Sequence, residues 1–140
     1  MGAPFSPVRG LSHLTLIVRD LERARRLFVG VLGGEEVYAS GGRTFSRSRE
    51  CFFRLGGLWI AAMEGEPRPP GSYDHIAFRV READLEPIRA RLTEAGFPVE
   101  PDRPRVPGEG RSVYFRDDDG HLFELHSGTL GRRLRAYSGR

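Results

Sequence analysis

The chain has one cysteine, one tryptophan and two methionines among 140 residues. A lone Cys51 excludes an internal disulfide framework and suits a reducing compartment. No apolar run approaches the roughly 20 residues that span a bilayer, so no membrane partner is expected. The opening MGAPFSPVRG lacks an apolar signal core, which leads us to expect a cytoplasmic protein. A large excess of charge is also missing, since 22 basic residues, all arginine, stand against 19 acids for a net +3. A nucleic-acid footprint needs a basic face, often with aromatic platforms. The one acid-free basic stretch is the C-terminal GRRLRAYSGR, which reads as a solvated helix. Nucleic acid is therefore not an expected partner, and a modest positive excess suits a small anionic substrate.

The composition that remains, 39% hydrophobic and 29% charged, is that of an ordinary globular chain. Its length fits one domain, 1–140, with enough residues to bury a core. An internal repeat organises it. LSHLTLIVRD at 11–20 and YDHIAFRVRE at 73–82 align with His13 on His75. A helical segment follows each. In the first, Leu21, Ala24, Leu27, Phe28 and Val31 make one face, with Asp20 as N-cap and Gly33 as stop. In the second, Leu85, Ile88, Leu92 and Ala95 make the face, with Asp84 as N-cap, Pro87 in the tolerated first turn and Gly96 as stop. Strand-like segments separated by glycine turns come next: EEVYAS, CFFRLG and LWIAAM, then PVEPDRP, RSVYFRD and HLFELH. The reading is an α+β fold of two β-α-β-β-β modules, about 10–65 and about 73–128. A Pro/Gly-rich linker joins them, and a basic tail follows at 129–140. Pairing across two chains is a further expectation, because a half-length unit cannot easily bury its own sheet face.

Strand parity places ligand-type residues together. His13, Thr15 and Ile17 share a face, as do His75, Ala77 and Arg79, and Leu122, Glu124 and His126. A mid-strand carboxylate between apolar neighbours is costly unless it is paired, hydrogen-bonded or bound to metal. Two imidazoles and one carboxylate leave coordination positions open on Mn²⁺ or Fe²⁺, so His13, His75 and Glu124 are candidate metal ligands. The alternative is that the histidines are strand-end polar residues and that Glu124 faces solvent. Aligning Gly57 with Gly120 places Ala61 opposite Glu124, so the first module offers no fourth carboxylate. His126 reads as a packed or supporting residue and His121 as a surface residue. Asp117–Asp119 reads as a turn without the spacing of a calcium loop. Cys51 reads as buried and inert. Glu50 either points inward with Phe52 or pairs on the surface with Arg47, Arg49 or Arg54.

GLSHLTLIV, YDHIAF and GHLFELH together resemble the vicinal oxygen chelate superfamily, over residues 10–137. That superfamily includes glyoxalases, extradiol dioxygenases and fosfomycin-resistance proteins. LGGLWIAAMEG, RPRVPGEGRSVYF and FELHSGTLGRRL, in that order, are similar to the fosfomycin-resistance branch. SGGRTFSRSRECFFRLGGLWI at 40–60 is similar to its epoxide hydrolases (FosX type) rather than its thiol transferases. The resemblance implies Mn²⁺, or another divalent metal, held by His13, His75 and Glu124. It implies Glu50 as the general base that activates water, and a homodimer whose sites are completed by paired modules. It also implies fosfomycin, a small epoxide phosphonate, as substrate, held by Arg133, Tyr114 and Thr15 with Trp59 as a pocket wall. Arg105 and Arg111 flank the VPGEG loop and are expected to close over the substrate. A thiol transferase on the same epoxide, and a non-enzymatic drug- or metabolite-binding module, are the alternatives.

Overall fold

The structure is a computed structural model and describes residues 6–139. The readings made on residues 1–5 and on Arg140 lie outside it. The order is β1 (Leu14–Val18), α1 (Leu21–Arg25), β2 (Glu35–Ala39), β3 (Glu50–Leu55), β4 (Leu58–Glu64), β5 (His75–Arg79), α2 (Glu82–Glu94), β6 (Val99–Glu100), β7 (Ser112–Arg116), β8 (Leu122–His126) and α3 (Leu130–Tyr137). Two four-stranded sheets form, ordered β1-β4-β3-β2 and β5-β8-β7-β6. In each, the first strand runs parallel to the last and the other pairs are antiparallel. Both expected β-α-β-β-β modules are present.

Asp20 caps α1 by accepting from the Glu22 amide at 2.8 Å. The helix then widens into a π-helical stretch over Arg26–Val31, where the Leu32 amide reaches back five residues to the Leu27 carbonyl. Leu21, Ala24, Leu27, Phe28 and Val31 are all buried, as the periodicity requires. Gly34 allows the chain to turn under this helix, since a Cβ there would lie 2.7 Å from the Phe28 carbonyl oxygen. The core joins both modules. Phe28 lies 5.4 Å from Phe53 of the first sheet and meets Phe123 of the second edge-on at 6.0 Å. Phe78 and Phe115 stack on Phe123 from either side. Each such fully buried ring contributes on the order of 2–3 kcal/mol of transfer free energy.

Three expectations for the second module are corrected. Asp84 does not cap α2, which starts at Glu82 after Arg81. Its carboxylate is taken by the Arg81 guanidinium at 2.9 Å, so it is unavailable to the backbone. Pro87 therefore falls in the second turn rather than the first. PVEPDRP supplies only the two-residue β6, because Pro98, Pro101 and Pro104 bring no ladder N–H. The basic tail forms α3, capped by Thr129, which accepts from the Arg132 amide at 3.2 Å. Among the described residues, no helix is long and apolar enough to cross a membrane.

Candidate metal centre

With the first and last strands of each module parallel, equivalent positions carry different chemistry. Thr15 pairs with Ala61 and Ala61 with Phe52. In the second sheet Ala77 pairs with Glu124 and Glu124 with Tyr114. Glu124 thus stands where the first module has Ala61, as the glycine alignment requires. Glu50, paired with Met63, holds the place that Ser112, paired with His126, holds in the second sheet.

The second sheet carries a connected polar centre. Glu124 is 4% exposed, so each of its oxygens needs a partner. Oε1 lies 3.0 Å from His75 Nε2. Oε2 accepts from the Ser112 hydroxyl at 2.5 Å and from Arg105 Nη2 at 3.2 Å. The other ring nitrogen of His75, Nδ1, lies 2.7 Å from the Tyr73 carbonyl oxygen. That oxygen can only accept, so Nδ1 carries the proton and Nε2 points its remaining valence at the carboxylate. Arg133 donates to His126 Nε2 at 3.1 Å. The proton of His126 therefore sits on Nδ1, 2.7 Å from the Ser112 oxygen, and the Ser112 hydroxyl is directed at Glu124.

The electrostatics follow from these contacts. Burial works to raise the Glu124 pKa, but the Ser112 and Tyr114 hydroxyls and the Arg105 charge outweigh it and hold the carboxyl below its ordinary range. Burial, with Arg133 and Arg105 nearby, pushes His126 down and keeps it neutral. Burial, the Tyr73 hydroxyl and the Glu124 charge push Tyr114 up, so it stays a hydrogen-bond donor.

The first sheet carries the other candidates. His13 is exposed, stacks on Trp59 at 4.2 Å and has Nδ1 3.0 Å from the Ser12 hydroxyl. Trp59 is 40% exposed, which makes it a surface wall rather than core. Thr15 is exposed on the same face. Glu50 is only 7% exposed. Among the described residues its carboxylate makes no ion pair, while Arg49 pairs with Glu64 and Arg54 with Glu35. The surface-pairing alternative for Glu50 therefore fails. Cys51 is buried, and burial pushes its thiol up.

The single chain brings His75 and Glu124 together, with Tyr114, Arg105 and Arg133, and leaves His13, Thr15, Trp59 and Glu50 on the other sheet. Among the described residues, the only three ligand-type side chains with donor atoms within 4.8 Å of one another are Asp117, Asp119 and His121. These sit at the β7–β8 turn, and their carboxylates are taken: Asp117 holds His121 Nδ1 at 2.7 Å, and Asp119 accepts from the Arg19 amide and guanidinium. His121, expected at the surface, is thus half-buried. Arg111 follows the VPGEG loop. Its amide is fixed to Ser127 at 2.9 Å, and its guanidinium turns outward to Glu86 on α2 at 3.4 Å. Sequence reasoning did not single out Ser112, Tyr73 and Glu109. Ser112 shares strand parity with Tyr114, and Glu109 stands between two glycines.

The family model of the Glyoxalase/Bleomycin resistance protein/Dioxygenase superfamily matches residues 10–125. The fosfomycin resistance protein FosX of Mesorhizobium japonicum is 54% identical over 127 residues, 91% of each chain. The chain belongs to this superfamily and to its FosX branch. Among solved structures, a mutant FosX from Listeria monocytogenes complexed with Mn(II) and 1S,2S-dihydroxypropylphosphonic acid superposes with a TM-score of 0.84. It is 45% identical and covers 93% of this chain and 98% of its own. The metallothiol transferase FosB of Shouchella clausii is more distant, at 38% over 93% of this chain and 88% of its own length.

Proposed function

We propose that this protein is a Mn(II)-dependent epoxide hydrolase that adds water to the oxirane of fosfomycin, works as a homodimer and resides in the cytoplasm. The observation that carries the reading is the polar centre around Glu124, with a lone buried carboxylate, Glu50, on the complementary sheet. The donor set fits the metal. Adjacent ligands of an octahedral divalent cation with bonds near 2.1 Å lie about 3 Å apart. His75 Nε2 and Glu124 Oε1 are 3.0 Å apart, the spacing that two neighbouring ligands of one such ion would need. Imidazole and carboxylate together suit Mn(II). His13, which immediately precedes β1 of the other sheet, would complete the set from a second copy. The chemistry such an ion supplies when bound is Lewis acidity toward an oxygen whose bond to carbon is breaking.

The chain's own residues do the rest. Arg105, Arg133 and the protonated Tyr114 donate to phosphonate oxygens, charge-assisted contacts that fix the substrate's orientation. Trp59, stacked on His13, closes one wall against water. Glu50 accepts a proton from the attacking water as its oxygen bonds to an oxirane carbon. The ring C–O bond breaks, the departing oxygen takes up a proton from solvent, Glu50 returns its own to solvent, and a vicinal diol results.

Phosphorus NMR of fosfomycin with the protein and Mn(II), with and without added thiol, tests this. Diol is expected without thiol and is expected to vanish in Glu50→Gln. Turnover only with thiol would overturn the proposal and make the protein a transferase.

A further inference from the structure

The loop before β7 and the helix after β8 are tied by one fully buried carboxylate. Glu109 is 0% exposed. Its Oε1 accepts from Arg103 Nη2, from Arg105 Nη1 at 3.1 Å and from the Tyr137 hydroxyl at 2.7 Å. Its Oε2 accepts from the Val106 amide at 3.1 Å, which closes the turn. Arg103 also reaches the Tyr137 hydroxyl at 3.3 Å, and Arg133 Nε lies 3.8 Å from Oε1. The hydrogen bond from Arg103 outweighs the opposing effect of burial and holds Glu109 far below the carboxylate range, so it is charged.

Two features make this contact more than a local turn. First, α3 buries none of its residues, and Leu130, Leu134 and Tyr137 are all exposed. Its hold on the fold is polar, through Tyr137 at Glu109 and Arg133 at His126. Second, the loop backbone lies directly on the β8–α3 junction. A Cβ on Gly110 would sit 2.7 Å from the Gly128 amide nitrogen, and Gly110 has φ +99°. The loop and the helix are therefore one unit, which delivers Arg105 to Glu124 and Arg133 to His126.

We propose that Glu109 is a positioning residue: through Arg105 on one side and Tyr137 on the other, it locks the 101–111 loop to α3 and sets the spacing of the two arginines that face the phosphonate. The inference rests on the function proposed above for what the arginines bind, but the lock itself can be measured without activity.

Tyr137→Phe removes one hydroxyl from the far end of α3. Amide hydrogen exchange is expected to speed up in both 130–137 and 101–111, by about tenfold, the size of effect that one charge-assisted hydrogen bond carries. The β5–β8 sheet is expected to keep its protection. The KM for fosfomycin is expected to rise about tenfold with kcat within about twofold, the signature of lost uniform binding. Mn(II) affinity is expected to change far less than KM, because Glu124 keeps its Ser112 and His75 partners, which a general loosening of the centre would not allow. Adding Tyr137→Phe to Glu109→Gln is expected to cost nothing further, because both act through one contact. Exchange that rises in α3 alone, or additive effects in the double variant, would overturn the lock. A wild-type protein that fails to open fosfomycin would sink the proposed function, and the exchange data would still decide the lock.

Discussion

Mixing two inactive variants separates a centre built by two chains from one built by a single chain. His13→Ala removes a donor from the first sheet, and Glu124→Ala removes one from the second. Each homodimer lacks a ligand at both sites and should be nearly inactive. A heterodimer of the two has one site that lacks both donors and one site with the full set. Freely exchanged, half the dimers are mixed, so activity should recover to about one quarter of wild type. Heterodimers isolated by tandem affinity tags should show about half. The decisive control puts both substitutions on one chain and pairs it with wild type. If donors come from two chains, neither site of that heterodimer is complete and it should be inactive. If each chain builds its own centre, this heterodimer keeps half the activity and the first one none. Epoxide opening with purified, Mn(II)-loaded heterodimers reads the difference. Activity in the wild-type/double-variant pair would refute the reasoning from the separation of His13 from the His75–Glu124 pair.

Ser112→Ala deletes the hydroxyl 2.5 Å from Glu124 Oε2. Losing a partner that orients a metal-binding carboxylate should weaken Mn(II) binding by about 10- to 100-fold, measured by metal titration. Glu109 links stability to acid. Its folded pKa lies below the ordinary 4.5, so its contribution is fully present above that value and is lost as pH falls through the depressed folded one. Denaturation midpoints of wild type should therefore fall on acidification below about pH 4.5, and those of Glu109→Gln should fall less steeply.

The fold was legible because it repeats a simple pattern. His13 and His75 begin equivalent strands, and the glycine turns set the register that places Ala61 opposite Glu124. Period-two parity put Thr15 on one face with His13 and Glu50 on one face with Phe52, whereas Tyr114 was named only through the family resemblance. The readings that failed involve competition among side chains. Asp84 is a good cap residue, but Arg81, three positions back, takes its carboxylate. The π-helical stretch at Arg26–Val31 has no local signal of its own beyond the apolar face that packs it against both sheets. Glu109 escaped notice because it belongs to no strand or helix. Its partners are scattered from Arg103 to Tyr137, and only the folded chain brings them together.

In the proposed reaction Arg105 and Arg133 would grip a group that is not altered. The phosphonate would leave as it arrived, so the two arginines would hold product and substrate alike. Contacts of that kind gather a scarce drug efficiently, but they contribute nothing to raising the intrinsic rate of ring opening. They would also slow the departure of the diol. A protein built this way would serve best when it intercepts low concentrations of drug, and least well when it must clear a large dose quickly.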